Sequence, residues 1–183
     1  MKFLWRIPNE YPEALIGAYQ KEMSPDRFDL QKGITLGSKW GVPVFSFQAS
    51  SEDLAKFDDL ANSAMVPLIS NRVAEYLRTT CHDLVELLPA KIKTQSGSLE
   101  GYSVVNVTNL GENVDIEKSQ YICIPGTQQP MSFSKLEFLP TPDPRMITRE
   151  MIYPSFIVVS EDFKKACNVN RWNGVGLFKA EDV

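Results

Sequence analysis

The sequence predicts an α+β fold of mixed, largely antiparallel sheets with several short helices, and three observations carry that expectation. Short apolar or alternating runs recur along the chain, each bounded by Pro, Gly, Asn or Ser. Helical spacing of apolar residues lies between only some of these runs, so no regular βαβ rhythm develops. The order strand, Ser, short helix, turn, strand also occurs twice, around Ser70 and around Ser160.

Taken in order, KFLWRI (2–7), VPVFSFQ (42–48) and VPLIS (66–70) read as the first strands. VELLPAKI (85–92), YSVVNVTN (102–109), QYICI (120–124) and SFIVVS (155–160) continue the series. Their β-branched and aromatic residues suit a pleated, half-buried surface. Three helices are expected between them: Leu54, Phe57, Leu60 and Ala61 after Ser51, Val73, Ala74 and Leu77 after Ser70, and Phe163, Ala166 and Cys167 after Ser160. Asn173-Gly174 signals a turn into a last strand through NGVGLF. The stretch 125–150 holds Pro125, Pro130, Pro140, Pro142 and Pro144 and is expected as irregular surface backbone with one strand near Leu136–Leu139.

The two serine-centred units can be aligned. Placing Ser70 on Ser160 brings Val85 onto Val175, Leu87 onto Leu177 and Leu88 onto Phe178. A serine at a helix N-cap accepts a backbone N–H of the first turn, worth roughly 1 kcal/mol against Ala. Glu161 and Asp162 follow Ser160, where the helix dipole favours negative charge.

At 183 residues, with 43% apolar and 23% charged residues, the chain is expected to fold as a single domain over 1–183 without staples. No long apolar run is present, and the opening MKFLWRIPNEYP is too short and too soon interrupted to act as a secretion signal, so a cytoplasmic location and no membrane contact are expected. Cys81, Cys123 and Cys167 form no CxxC pair, which fits neither a disulfide framework nor a zinc site. The net charge of −4 and the scattered basic residues leave no track for a phosphate backbone, so nucleic acid is not expected as a partner.

His82 is the one histidine, which excludes any site needing two. Its neighbour Cys81 projects about 100° away on a helix, so the two do not form a nucleophile–base pair. GITLGSK (33–39) lacks the GxxxxGK[ST] spacing of a phosphate loop. Asp58 and Asp59 read as solvated helix surface, and the Asn106-Val107-Thr108 sequon as empty. Trp40 and Trp172 stand beside Lys39 and Arg171, a pairing found both at protein interfaces and at the edge of a core. NVTNLGENVDIEKSQY (106–121) carries Glu112, Asp115 and Glu117 just past an alternating strand. It is open to three readings: a catalytic or metal site, a partner surface, or a capped turn in which Asp115 reaches toward Ser119.

PLISNRVAEYLR, VELLPAKI, YSVVNVTNLGENVDIEKSQY, FIVVSEDFKKA and NGVGLFKAED follow one another in an ordered series that resembles immunity-protein family eleven of bacterial polymorphic toxin systems, formerly a domain of unknown function. The resemblance runs from about Leu54 to the C-terminus, so 51–183 would form the immunity-family-like core and 1–50 N-terminal strands and loops. Ser70, Asn106, Asp115, Lys118, Ser119, Ser160 and Gly174 fill the family's positions. One departure is MIYPSFIVVS, where the family carries an aromatic-plus-Arg pair and this chain has Tyr153 and Pro154 without Arg.

The resemblance implies a cytoplasmic immunity protein, not an enzyme, that binds a cognate toxin domain and occludes its active site without cofactor or metal. Glu112, Asp115, Glu117 and Trp172 are the candidate partner-binding residues. Two other readings stay open: a carboxylate-dependent enzyme using Asp115 with Glu117 or Glu112, and a regulatory binding protein of the same fold whose partner is not a toxin.

Overall fold

Runs of β-branched and aromatic residues set the strands, and Ser followed by amphipathic spacing sets the two longer helices. The computed structural model describes residues 1–140 and 145–183, so Pro142 and Pro144 of the proline-rich stretch lie outside the described residues. The strands are β1 (Lys2–Arg6), β2 (Ala18–Tyr19), β3 (Val44–Ser46), β4 (Leu68–Ser70), β5 (Val85–Pro89), β6 (Lys91–Thr94) and β7 (Gly97–Leu99). They continue as β8 (Tyr102–Val107), β9 (Leu110–Gly111), β10 (Gln120–Cys123), β11 (Pro130–Lys135), β12 (Ile147–Glu150), β13 (Ile157–Ser160) and β14 (Gly176–Phe178). The helices are α1 (Ser51–Leu54), α2 (Asn71–Thr80) and α3 (Glu161–Asn170), and short 3-10 turns include Arg27–Gln31.

The α+β expectation holds, with mixed and largely antiparallel sheets. A five-stranded sheet runs β14-β1-β13-β12-β9, a four-stranded sheet β2-β3-β6-β7 and a three-stranded sheet β4-β8-β5, while β10 and β11 pair alone. Parallel pairing occurs at β12–β9 and β3–β6.

The two serine-centred units share one topology. β4 and β5 flank β8 and run antiparallel to it, with α2 making the crossover. β13 and β14 flank β1 in the same way, with α3 making the crossover. Both helices have ten residues. Each unit thus leaves a gap that a strand from elsewhere fills, and β1 supplies the second. The N-terminal segment is therefore woven into the sheet centre.

The helices seal a shared core. Val73, Ala74 and Leu77 of α2 and Phe163, Ala166 and Cys167 of α3 pack with Phe3, Trp5, Ile69 and Trp172. Each large apolar side chain buried there contributes about 1.5–3 kcal/mol. A second core gathers Phe45, Leu54, Leu60, Leu68, Leu88 and Ile92, and a third cluster holds Leu4, Val114, Leu136 and Val158. β1 is buried on both faces, because Phe3 and Trp5 join one core and Leu4 another. That position explains why KFLW is a continuous apolar run.

Several local expectations need correction. The run 85–92 divides into β5 and β6, which belong to different sheets; β5 ends at Pro89, which has no N–H to donate onward. The helix expected over 51–61 is one turn capped by Ser50, whose hydroxyl accepts from Asp53 N at 3.1 Å. Beyond it the chain turns, because Asp58 and Asp59 are buried rather than solvated and their peptide N–H groups both donate to Asn173 O. The stretch expected as irregular contains β11, which pairs with the expected strand β10, and β12, and the 136–139 segment contributes only a bridge between Phe138 and Val114. Ser160 caps α3 by accepting from Phe163 N at 3.4 Å. Ser70 occupies the equivalent position at α2, but its hydroxyl donates to Asp58 Oδ1 at 2.7 Å instead.

Candidate functional site

The segment 106–121 alternates between buried anchors and exposed carboxylates. Asn106 is fully buried, and its amide donates to Ile34 O and to Glu86 Oε2, both at 2.9 Å. A glycan has no access there in the folded protein. The Glu86 carboxylate also accepts from Leu36 N at 2.9 Å and Gly37 N at 2.8 Å. Burial pulls its pKa upward, but these amides and Asn106 outweigh burial and hold it below the ordinary glutamate value. GITLGSK is therefore a loop fastened to β5 through its own peptide groups, not a phosphate cradle.

Farther along, Asn113 N and Val114 N donate to the buried Glu150 carboxylate at 2.7 and 3.1 Å. Asp115 is mostly buried; it accepts from Lys118 N at 3.2 Å and pairs with Lys118 Nζ at 2.9 Å. The Lys118 ammonium holds its carboxyl below the usual aspartate range. Ser119 N closes the turn on Asp115 O at 2.9 Å. The capped-turn reading of Asp115 thus matches its geometry. Glu112 and Glu117, by contrast, are exposed.

Trp172 lies apart from these three. It is 8% exposed, with its ring against Tyr76 at 5.2 Å and Phe163 at 6.0 Å. Docking through this ring would require the core to open, so among the four candidate residues only Glu112 and Glu117 present free side chains to a partner.

The acidic loop leads directly into β10, and the β10–β11 hairpin has two unlike faces. Tyr121 and Phe133 pair inward at 5.8 Å, and Phe133 continues onto Phe156 and Tyr153 at 5.5 and 5.4 Å. Ile122 lies opposite Ser132 on the alternate face and is 60% exposed, with Ile124 at 40% and Met131 at 49%. Cys123 is half-buried on this hairpin. Sequence reading placed Ile122 in a strand but had no means of knowing that β10 would pair with a single neighbour.

Cys81 and Cys167 are buried, and burial raises both thiols, Cys167 to about 12. Neither is a poised nucleophile at neutral pH. Among the described residues no group of three His, Cys, Asp or Glu side chains could hold a metal ion, and no helix is long and apolar enough to cross a membrane.

Several buried charges were missed in the sequence, among them Asp59 and Arg149. Asp59 accepts from Trp5 Nε1 at 2.8 Å and Leu68 N at 3.0 Å, and burial pushes its pKa up to about 7. Arg149 on β12 is 4% exposed. Its Nη1 donates to Pro154 O at 2.7 Å, and its Nε has no hydrogen-bond partner among the described residues. Its burial follows from the pairing of β12 on both sides, which nothing in the sequence signalled. No known family model matches the chain, and no curated protein matches it either.

Proposed function

We propose that the protein is a non-enzymatic, cytoplasmic inhibitor that docks onto a bacterial toxin domain, the role implied by the resemblance to immunity family eleven. The observation that carries this reading is the outer face of the β10–β11 hairpin. There Ile122 stands exposed, with Ile124 and Met131 also exposed on the same hairpin, which begins where the Glu112–Glu117 loop ends. Interfaces bury an apolar, charge-depleted centre inside a polar rim. Ile122 and Met131 supply that centre, and Glu112 and Glu117 supply a rim that steers a basic toxin surface. A complex of this kind buries on the order of 1,200–2,000 Å² in total.

Co-expression with the toxin domain encoded by the adjoining gene tests the reading, scored by growth rescue and co-purification. Rescue and a stable complex are expected, with Ile122→Asp and Met131→Asp abolishing co-purification while leaving the melting temperature unchanged. Charge reversal at Glu112 and Glu117 should slow association about tenfold at low salt. Absence of both rescue and complex removes the immunity role, and a complex indifferent to Ile122→Asp removes this surface. Loss of a turnover activity in Glu112, Asp115 and Glu117 alanine variants, with the complex intact, would point to an enzyme instead.

A further inference from the structure

A cleft of about 270 Å³ opens where the end of the five-stranded sheet meets the 3-10 turn at Arg27–Gln31 and the loop before β4. Three arginines, Arg6, Arg27 and Arg149, line it, and among the described residues no Asp or Glu does. This is unexpected in a chain with a net charge of −4. Other cations near depressions in the surface are matched: beside Met1 and Val183, Lys135 pairs with Glu137 and Lys179 with Glu181, each at 3.0 Å.

We propose that this cleft binds a small organic anion, a carboxylate or phosphate head on an apolar body, with Arg149 as the principal anion contact. The guanidinium of Arg149 is buried without a carboxylate partner among the described residues, and burial alone lowers its pKa to about 10, so it remains charged at neutral pH. An unpaired charge in such a place is costly, and the protein has not neutralised it. One side of the guanidinium is fixed, because Nη1 is held by Pro154 O, while the buried Nε–H has no acceptor among the described residues. A planar anion matches a guanidinium fork positioned in this way.

The remaining lining suits an apolar body. Trp5, Phe28, Tyr153 and Phe156 supply aromatic surface, and Arg27 lies over the Phe28 ring at 4.8 Å. Arg27 is anchored to Ala64 O at 2.9 Å, so it is presented in a defined direction. Met65 forms part of the lining in a left-handed conformation, φ 54°, rare for a residue with a side chain and a form of strain that collects at ligand sites. The volume is at the small end for ligand pockets, which limits the occupant to a compact molecule. The inference stands on the cleft alone and is independent of toxin docking.

Benzoate and phenyl phosphate serve as the two probes, and benzamide as the neutral control, titrated into the full-length protein to about 10 mM, which captures a millimolar Kd. The readouts are calorimetry and the Arg149 Nε–Hε resonance, assigned by its absence in Arg149→Met. At least one anion is expected to bind and shift that resonance, benzamide to bind at least about tenfold more weakly, and Arg149→Met to weaken the anion at least about tenfold. Arg27→Gln, on an exposed turn, should also weaken it and covers the case in which Arg149→Met does not fold. Benzoate alone binding identifies a carboxylate ligand, and phenyl phosphate alone a phosphate. Binding of neither anion, equal binding of benzamide, or affinity unchanged in both variants overturns the proposal.

Discussion

Asp59 makes the stability of the protein depend on pH in the direction opposite to that of most buried carboxylates. Its side chain is 7% exposed and receives two hydrogen bonds, from Trp5 Nε1 and Leu68 N. Burial is the largest influence on it and outweighs those donors, placing its pKa at about 7, against about 3.9 in an unfolded chain. Between those values the folded state holds a proton that the unfolded state has released. Stability from this group is therefore fully present below about pH 4, declines as pH rises, and is lost above about pH 7. Three pKa units at about 1.36 kcal/mol each give about 4 kcal/mol, of which about 3 falls between pH 5 and pH 8. Asp59→Asn removes the titration; its NH₂ then faces one of two N–H donors, at a fixed cost of about 1–3 kcal/mol. Urea unfolding of both proteins at pH 5 and pH 8 measures the difference. The wild type should lead clearly at pH 5, and its advantage should shrink by about 3 kcal/mol at pH 8. Parallel pH dependence in the two proteins would refute the reasoning, because it would mean that the two donors keep Asp59 ionised in spite of burial.

The matched serines should respond unequally. Ser160→Ala removes an N-cap and should cost about 1 kcal/mol, whereas Ser70→Ala takes a donor from the buried Asp58 and should cost about 2 kcal/mol or more, both read from urea midpoints at constant m. Gly174→Ala should be among the most damaging small substitutions: φ is +88°, and the added Cβ would lie 2.4 Å from Asp59 O. A loss of about 2 kcal/mol or more is expected in thermal unfolding, and an unchanged melting temperature would show that the turn relaxes freely.

The sequence was most informative where one residue's neighbours along the chain decide its fate. β1, β8, β13, α2 and α3 were all readable, because their apolar periodicity extends over several residues and their ends carry Ser, Asn or Gly. The serine-centred repeat was readable for the same reason, and its two copies do share a strand arrangement. What was lost depended on distant partners. Asp58 and Asp59 looked like helix surface because nothing in their neighbourhood reveals Trp5 or Asn173 as partners. Ser70 and Ser160 are alike in sequence, yet Asp58 diverts one hydroxyl from its helix. Proline density concealed the β10–β11 hairpin, since Pro130 sits at the start of a strand, where no donor is needed from it.

The candidate site illustrates the same limit through charge. An average of −4 suggests an acidic molecule whose partners are basic. In the fold, five of the 23 acidic residues are consumed internally: Asp58, Asp59, Glu86, Asp115 and Glu150 each accept backbone N–H groups, and act as fasteners rather than as ligands. Glu112 and Glu117 remain on the outside, beside the exposed hairpin. The arginines are distributed unevenly as well, three of them around a cleft whose lining among the described residues holds no carboxylate. Net charge therefore describes long-range steering toward the molecule, while the local sign at the hairpin loop and in the cleft decides what each can hold, and the two signs are opposite. The two proposals therefore place a basic protein surface and a small anion at separate sites of the chain, where they would not compete for the same groups.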